Sequence, residues 1–252
     1  MHLLDANLSW LARGRDHDQS GIIPVPAGHD EFVRGLAQRN QRWVDGTSTL
    51  SPRLITGLLR WSGEQLDAYL HTVDLTGASS VYWAGQVPLW FDLAREFTER
   101  WVHYQQIRDA ALPAGHDQHQ DQYLPLVLRT FIWGFPHQYQ APAPAGTAIT
   151  LEIPGIGAWT LTRTATDWSL NEGPPAAPAA SLRITGEAAW RLLTGARYDS
   201  RQVLLSGDLA LAEPLLRVHG IIVQGSHPLT TAGYARSSTG QRLLDAALVV
   251  VC

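Results

Sequence analysis

Polar side chains recur at helical spacing in one segment of this chain. Intervals of four, three, four and three residues place five of them on one face of a predicted helix: Asp92, Glu96, Glu99, His103 and Gln106. We call this set the polar stripe. Within it, Glu99 and His103 lie one turn apart, so a carboxylate oxygen and an imidazole nitrogen could reach the same divalent cation. A solvated Glu–His pair is the alternative interpretation of that spacing. Because the surrounding residues are mostly apolar, we expect part of the stripe to point inward.

A catalytic zinc usually has three protein ligands, so the pair needs a third. His2 is the first candidate, because it opens the first helix, whose Leu3, Leu4 and Leu8 are available to pack it into the bundle. His71 is the rival, although a histidine at a helix end is also expected as a cation that interacts favourably with the helix dipole. The spacing of His116 and His119 also suits a metal, but their Gln and Asp neighbours favour a solvated loop.

Other side chains could support such a site. Arg95, Arg100 and Arg108 could each hold a substrate carboxylate through two hydrogen bonds, or simply be solvated on a charged face. Asp5, one turn after His2, could orient that imidazole, or be an acid favoured in a first helical turn. The tryptophans of the first half are expected mainly in the core, with those near the polar stripe as possible pocket walls: Trp43, Trp61, Trp83, Trp90, Trp101 and Trp133.

The elements that position these residues follow from the apolar spacing. Up to about residue 137, apolar side chains recur every three or four residues, which predicts a helical bundle. The first helix begins near His2 and is followed by a polar loop over 14–28. Four more helices are predicted: one ending near Gly46, one beginning at Ser51-Pro52, one from Pro88 to Ala111 and one from Gln122 to Pro136.

The second half has a different pattern. The Pro- and Ala-rich segment 141–146 predicts a domain boundary. Beyond it, 149–153 and 158–163 alternate with a period of two around a Gly-Ile-Gly turn, which predicts a β-hairpin. Three further strands are expected at 168–170, 181–185 and 203–205, and two helices at 186–194 and 209–218. This half is therefore predicted to be α+β, while no structure is assigned to residues 224–252.

Composition excludes several classes of function. A formal net charge of -4, with basic residues scattered along the chain, gives no field for nucleic acid. The single cysteine, Cys252, excludes an internal disulfide framework and a cysteine-based zinc site. No stretch is long and apolar enough for a membrane span, and no signal peptide is recognisable, so we expect a cytoplasmic protein. The sequence does not indicate an oligomeric state.

Several segments resemble one known family. In the first half these are His2-Leu-Leu-Asp-Ala-Asn-Leu8, Leu50-Ser-Pro-Arg53, the stretch from Trp90 to His103 and Gln105-Gln-Ile-Arg-Asp-Ala110. They resemble the mycothiol-dependent maleylpyruvate isomerase-like proteins, which belong to the DinB-like metal-dependent thiol transferases. The second half resembles the sterol-carrier-like domain of that family, through 158–161, 167–170, 189–195 and 205–210.

The resemblance implies an α+β fold with three parts. Residues 1–140 would form a DinB-like metal-binding helical bundle, residues 146–223 a sterol-carrier-like α+β domain, and residues 224–252 a tail outside the family pattern. Family members also carry a helix before the first metal-binding histidine, whereas this sequence starts one residue before His2.

The resemblance also implies a site and a reaction. A divalent ion, usually zinc, would be held by His2, Glu99 and His103. Mycothiol would be the cosubstrate, activated as a metal-bound thiolate that adds to an electrophilic substrate. The outcome would be maleylpyruvate-like cis-trans isomerisation or formation of an S-conjugate. Arg217 and His219 would be candidates for contacts with polar groups of the thiol.

Two alternatives remain open at this point. The chain could be a non-catalytic protein that binds a metal or a hydrophobic ligand, or an inactive truncated paralogue. Metal coordination separates these interpretations, because an enzyme requires an open coordination position beside a pocket.

Overall fold

The computed structural model describes residues 2–18, 29–78, 88–111 and 118–220, with the side chains of His2, residues 29–34, Leu36, residues 118–121 and His137 left out. Contacts between Cα atoms divide the chain into two compact units, and the division falls between Arg100 and Trp101. Of the described residues, unit one comprises those up to Arg100, and unit two comprises those from Trp101 to Gly220. Residues 141–146, where the sequence predicts a domain boundary, lie inside unit two as a segment without helix or strand.

The described part of unit one is helical. Three helices precede the helix that the two units share: α1 (His2–Trp10), α2 (His29–Gly46) and α3 (Pro52–Leu70). A π-helical turn, Leu11–Arg15, extends α1. As the sequence predicts, α3 starts at Ser51-Pro52: the Ser51 hydroxyl accepts a hydrogen bond from the Leu54 amide, and Pro52 fits the first helical position.

Helix α1 packs mainly on α3. Trp10 and Leu11 are buried from α1 and its extension, and Leu66 and Leu70 are buried from α3. Burying side chains of this size supplies most of the stability of such contacts, at about 2 kcal/mol each. These contacts fix the direction in which α1 presents its polar residues.

Helix α4 (Leu89–Ala111) carries the polar stripe and is continuous through the division between the units. It begins just after Pro88 and ends at Ala111, as predicted from the absence of Gly and Pro within it. Its first half buries large side chains within unit one, including Trp90, Phe91 and Phe97.

Unit two contains a five-stranded mixed sheet, so the fold class is α+β as predicted. Its strands are β1 (Ala148–Ile153), β2 (Gly157–Arg163), β3 (Trp168–Glu172), β4 (Ala180–Ile184) and β5 (Val203–Gly207). Their order in the sheet is β3-β2-β1-β4-β5, with β1 and β4 parallel and the other pairs antiparallel. The predicted hairpin is confirmed: Ile149 pairs with Leu161, and Gly155 adopts a φ of 78° in the turn.

Four described helices belong wholly to unit two: α5 (Gln118–Ile132), α6 (Phe135–Gln138), α7 (Gly186–Leu193) and α8 (Leu209–Ala212). The sequence predicts one helix from Gln122 to Pro136, whereas the structure begins it earlier and divides it at Trp133-Gly134. The break precedes Pro136, which lacks an amide hydrogen and sits in the first turn of α6. The predicted helix 209–218 is likewise α8 followed by a 3-10 helix, Glu213–Arg217.

The last half of α4 packs on α7 within unit two. The rings of Trp101 and Trp190 meet edge to face, with centroids 5.5 Å apart. Arg191 pairs with Asp109 at 2.8 Å and with Glu187 at 2.6 Å. These contacts fix the rotation of the α4 segment that bears His103.

Candidate metal centre

The polar stripe runs from the protein interior to its surface. Asp92 is fully buried, whereas Gln106, at the other end, is exposed. Glu96, Glu99 and His103 between them are half-buried. The beginning of the stripe therefore points inward, as expected for part of it.

Glu99 and His103 lie one turn apart on α4. His103 Nδ1 is 2.8 Å from Oε1 of Gln106. An amide oxygen only accepts hydrogen bonds, so a neutral imidazole that donates to it from Nδ1 would have its lone pair on Nε2. This is the tautomer in which a histidine binds a metal through Nε2 while an outer group orients its ring.

The third predicted ligand lies outside the part of the chain whose side chains are described. His2 is the first residue of α1, and only its place in that helix is given. Among the described residues, no group of three or more His, Cys, Asp and Glu side chains is arranged to hold a metal. The combination of His2, Glu99 and His103 therefore stays a prediction, with Glu99 and His103 as its two described members.

Asp5, the predicted partner of the His2 imidazole, has other described partners. Its Oδ2 accepts a hydrogen bond from Arg39 Nε at 2.9 Å, and its Oδ1 accepts one from Arg39 Nη2 at 2.8 Å. Ser9 donates to the same Oδ1 at 3.3 Å. A buried carboxylate held by two nitrogens of one guanidinium ties α1 to α2, which is a structural role.

The three arginines of α4 interact with groups of the protein. Arg95 donates to buried Asp92 at 2.7 Å, and Arg108 lies 3.4 Å from Asp109. Arg100 donates through Nη2 to the side-chain oxygen of Asn7 at 2.6 Å. Holding a substrate carboxylate with Arg95 would take one hydrogen bond away from the buried Asp92 charge, which makes Arg95 the least suited of the three.

A series of hydrogen bonds within unit one was not predicted from the sequence. Asn7 of α1 accepts the hydrogen bond from Arg100 and donates another to the Ser62 hydroxyl of α3 at 3.0 Å. Asn7 and Ser62 are almost completely buried. No spacing pattern marks these residues, because each partner lies on a different helix. The chain of hydrogen bonds holds α1, α3 and α4 in register.

The sequence analysis also missed a recess next to these hydrogen bonds. It is small, with about 10 Å³ open to the centre of a water-sized sphere, and it lies within unit one. Its walls are Trp10, Leu66, Leu70, Leu93, Glu96, Phe97 and Arg100. Burial raises the pKa of the Glu96 carboxyl, and the Arg100 guanidinium, 3.9 Å away, acts in the opposite direction. The recess therefore combines apolar walls with an ionisable pair.

The predicted positions of the tryptophans need one correction. Trp90 and Trp101 are buried in the core, as expected, and Trp43 and Trp133 are half-buried. Trp61 is 49 % exposed, so it is not a core residue. It lies on the face of α3 opposite to the buried leucines. Helical spacing alone does not show which of two apolar rows on a helix is buried. Trp83 lies outside the described residues.

The remaining candidates have ordinary structural environments or are not described. His71 is exposed at the carboxyl end of α3, and its Nδ1 lies 2.9 Å from the Asp67 carbonyl oxygen. This matches the alternative interpretation of His71 as a residue that interacts with the end of its own helix. Arg217 is exposed, and the backbone of His219 forms two hydrogen bonds with the Gln138 amide. His116 and the side chain of His119 lie outside the described residues.

No family model and no curated protein matches the chain. Among solved structures it is similar to a UbiJ-SCP2 ubiquinone synthesis protein, at 13 % identity and a TM-score of 0.27, over 37 % of this chain and 93 % of that one. It is also similar to sterol carrier protein 2 like 2 from Aedes aegypti, at 16 % identity and a TM-score of 0.28, over 39 % of this chain and 98 % of that one. Likenesses at these scores assign no family. No described helix is long and apolar enough to cross a bilayer.

Proposed function

We propose that this chain is a divalent-metal-dependent thiol transferase or isomerase, with His2, Glu99 and His103 as metal ligands. One observation carries the proposal: Glu99 and His103 are half-buried one turn apart on α4, and Oε1 of Gln106 lies at hydrogen-bond distance from His103 Nδ1. Half-burial suits a catalytic ligand, which must be desolvated enough to hold a metal and accessible enough for a substrate.

The chemistry of the donor set fits a zinc-like ion. Two imidazole nitrogens and one carboxylate oxygen are the ligands found in many catalytic zinc sites, and they leave one position open. A bound divalent cation lowers the pKa of a coordinated thiol, which keeps it deprotonated at neutral pH. The carboxylate of Glu99 offsets part of the cation charge, while Gln106 maintains the orientation of His103.

The proposed reaction is addition of a low-molecular-weight thiol to an electrophilic carbon. The thiol loses its proton, its sulfur forms a bond to the carbon, and a proton is taken up by the adduct. An adduct that is released is an S-conjugate. If the adduct instead rotates about its former double bond and eliminates the thiol, a cis-unsaturated diacid becomes its trans isomer. Mycothiol and maleylpyruvate are the proposed pair, on the basis of the sequence resemblance.

Metal analysis of the purified chain tests the proposal. We expect about one zinc per chain in the wild type. The Glu99→Ala/His103→Ala variant should have almost none. Ile107→Ala is the matched control, because Ile107 is exposed on the same helix and should retain the metal. Mycothiol-dependent conversion of maleylpyruvate should be lost together with the metal.

Two results would contradict the proposal. Equal metal content in the wild type and the double variant would remove Glu99 and His103 from the site. A metal-free wild type that binds an apolar fluorescent probe would instead support the non-catalytic binding protein. Circular dichroism of each variant shows whether the helices are intact, so that a folding defect is not mistaken for a lost ligand.

A further inference from the structure

Helix α3 exposes a row of large apolar side chains. Leu54, Leu58 and Trp61 are 56 %, 40 % and 49 % exposed. Their intervals of four and three residues place them in one line along the helix, which we call the α3 row. Leu66 and Leu70 on another face of α3 are buried in unit one. An aligned exposed row is unlike apolar residues scattered singly, and it is typical of an interaction surface.

One side of this row carries a positive side chain at one end and a negative side chain at the other. Arg53 and Glu64 are eleven residues apart, which is close to three helical turns, so both lie on the same edge. Both are exposed, and within the described part of the chain neither takes part in a salt bridge. Gly57 lies between them, and the space beside its Cα is open, which permits the close approach of another helix.

We propose that the α3 row is a self-association surface, on which α3 of a second copy of this chain packs in antiparallel orientation. A two-fold axis near Leu58 then places Arg53 opposite Glu64 of the partner subunit, and symmetry repeats this ion pair at the other end. A parallel arrangement would leave Arg53 and Glu64 at different heights along the pair, so that neither ion pair forms. The antiparallel arrangement is therefore the one in which Arg53 and Glu64 pair.

The expected affinity is moderate. The segment from Arg53 to Glu64 is about 18 Å long, so the contact is smaller than the ~800 Å² per partner of a standard interface. We therefore expect a dissociation constant in roughly the micromolar range. The association does not depend on the metal site, so it can be tested separately from the proposed function.

Sedimentation velocity of the full chain over a series of concentrations tests the proposal. The wild type should shift from monomer to dimer as its concentration rises. Leu58→Glu should raise the dissociation constant by about a hundredfold or more, because it buries a charge at the centre of the interface. Thr56→Glu is the matched control, since it adds the same charge at an exposed position on another face of α3 and should leave the dimer unchanged.

Charge reversal tests the orientation. Arg53→Glu and Glu64→Arg should each weaken the dimer by about tenfold, whereas the Arg53→Glu/Glu64→Arg double variant should regain most of the affinity. Circular dichroism should show the same helix content throughout. A folded wild type that stays monomeric would overturn the proposal, as would a dimer insensitive to Leu58→Glu. A double variant as weak as the single variants would overturn the antiparallel arrangement.

Discussion

The hydrogen bond between His103 Nδ1 and Gln106 Oε1 gives the proposed metal site a residue that acts without touching the metal. Gln106→Ala removes the acceptor while leaving both proposed ligands on α4 in place. Removing such an outer partner typically lowers metal affinity by about 10- to 100-fold. We therefore expect weaker zinc binding, measured by competition with a chromophoric chelator.

A comparison variant distinguishes a lost orientation of the His103 ring from a general disturbance of the helix. Ile107→Ala changes a neighbouring exposed residue and should leave the zinc affinity unchanged. Gln106→Glu retains an oxygen acceptor for Nδ1 and should preserve most of the affinity. Unchanged zinc binding in Gln106→Ala would show that the Gln106 side chain does not position a ligand.

Glu96 gives a prediction that depends on pH. Burial raises its pKa in the folded chain above the reference value of 4.5, so the folded state holds the proton more tightly than the unfolded state. The folded state is therefore favoured by this group at low pH and loses that advantage as the pH rises through the raised pKa. Glu96→Gln, which resembles the protonated form, should gain stability relative to the wild type as the pH rises from acid to neutral.

Urea unfolding at several pH values measures this difference directly. Glu213→Gln replaces an exposed carboxyl and should show a smaller change of stability with pH. If the wild type and Glu96→Gln keep the same difference at every pH, then Glu96 does not couple protonation to folding. A growing deficit of the variant towards neutral pH would mean that the ionised carboxylate is the form that the fold stabilises, through Arg100.

At the scale of residues, sequence spacing predicted the α4 pair but not its surroundings. Glu99 and His103 were found because helical periodicity relates positions one turn apart. Periodicity does not relate Arg100 to Asn7 or Ser62, which lie on separate helices and meet only after folding. Trp10 at the wall of the recess carries no local signal for the same reason.

Helix α4 contacts α7 through aligned positions, and one of them is unusual. Trp101 meets Trp190, and Asp109 pairs with Arg191. Gln105 lies between Trp101 and Asp109 on the same line of the helix. It is completely buried, and neither atom of its amide has a hydrogen-bond partner in the described structure. A buried amide in this state costs stability relative to an apolar side chain of the same shape.

Gln105→Met should therefore leave the free energy of unfolding unchanged or raise it by about 1 to 2 kcal/mol. Methionine has nearly the same length and shape as glutamine, so the packing between the tryptophan and ion-pair contacts is retained. Urea unfolding at neutral pH measures the change, and Ile107→Met provides the comparison at an exposed neighbouring position. A loss of stability in Gln105→Met alone would indicate that the amide binds an ordered water or another buried group.

At the scale of elements, local signals predicted starts and pairings better than ends. The start of α3 was clear, because Ser51 and Pro52 determine it through local geometry. The β1–β2 hairpin was clear from its alternation and its glycine turn. The end of α5 was not, since the apolar pattern continues through Trp133-Gly134 into α6 and only the backbone reveals the break.

At the scale of the whole molecule, alternation and periodicity were sufficient for the α+β class. They separated a helical first part from a second part with a sheet, because periods of about 3.6 and 2 correspond to different backbone shapes. They did not indicate the strand order, in which β4 lies parallel to β1. Parallel pairing between distant segments depends on packing of the connecting elements, which no local pattern encodes.

Metal removal provides the last prediction, which concerns the stability of the whole chain and rests on the proposed function. The proposed ligands come from α1 and α4, near the two ends of a sequence interval of about a hundred residues. A metal that binds only the folded state stabilises it in proportion to the logarithm of its concentration over the dissociation constant, by about 4 kcal/mol at a thousandfold excess. A chelator should therefore lower the melting temperature of the wild type, and added zinc should restore it. The Glu99→Ala/His103→Ala variant should melt at a lower temperature and be insensitive to both reagents, while Ile107→Ala should respond like the wild type. Equal responses to the chelator in the wild type and the double variant would place any bound metal elsewhere in the chain.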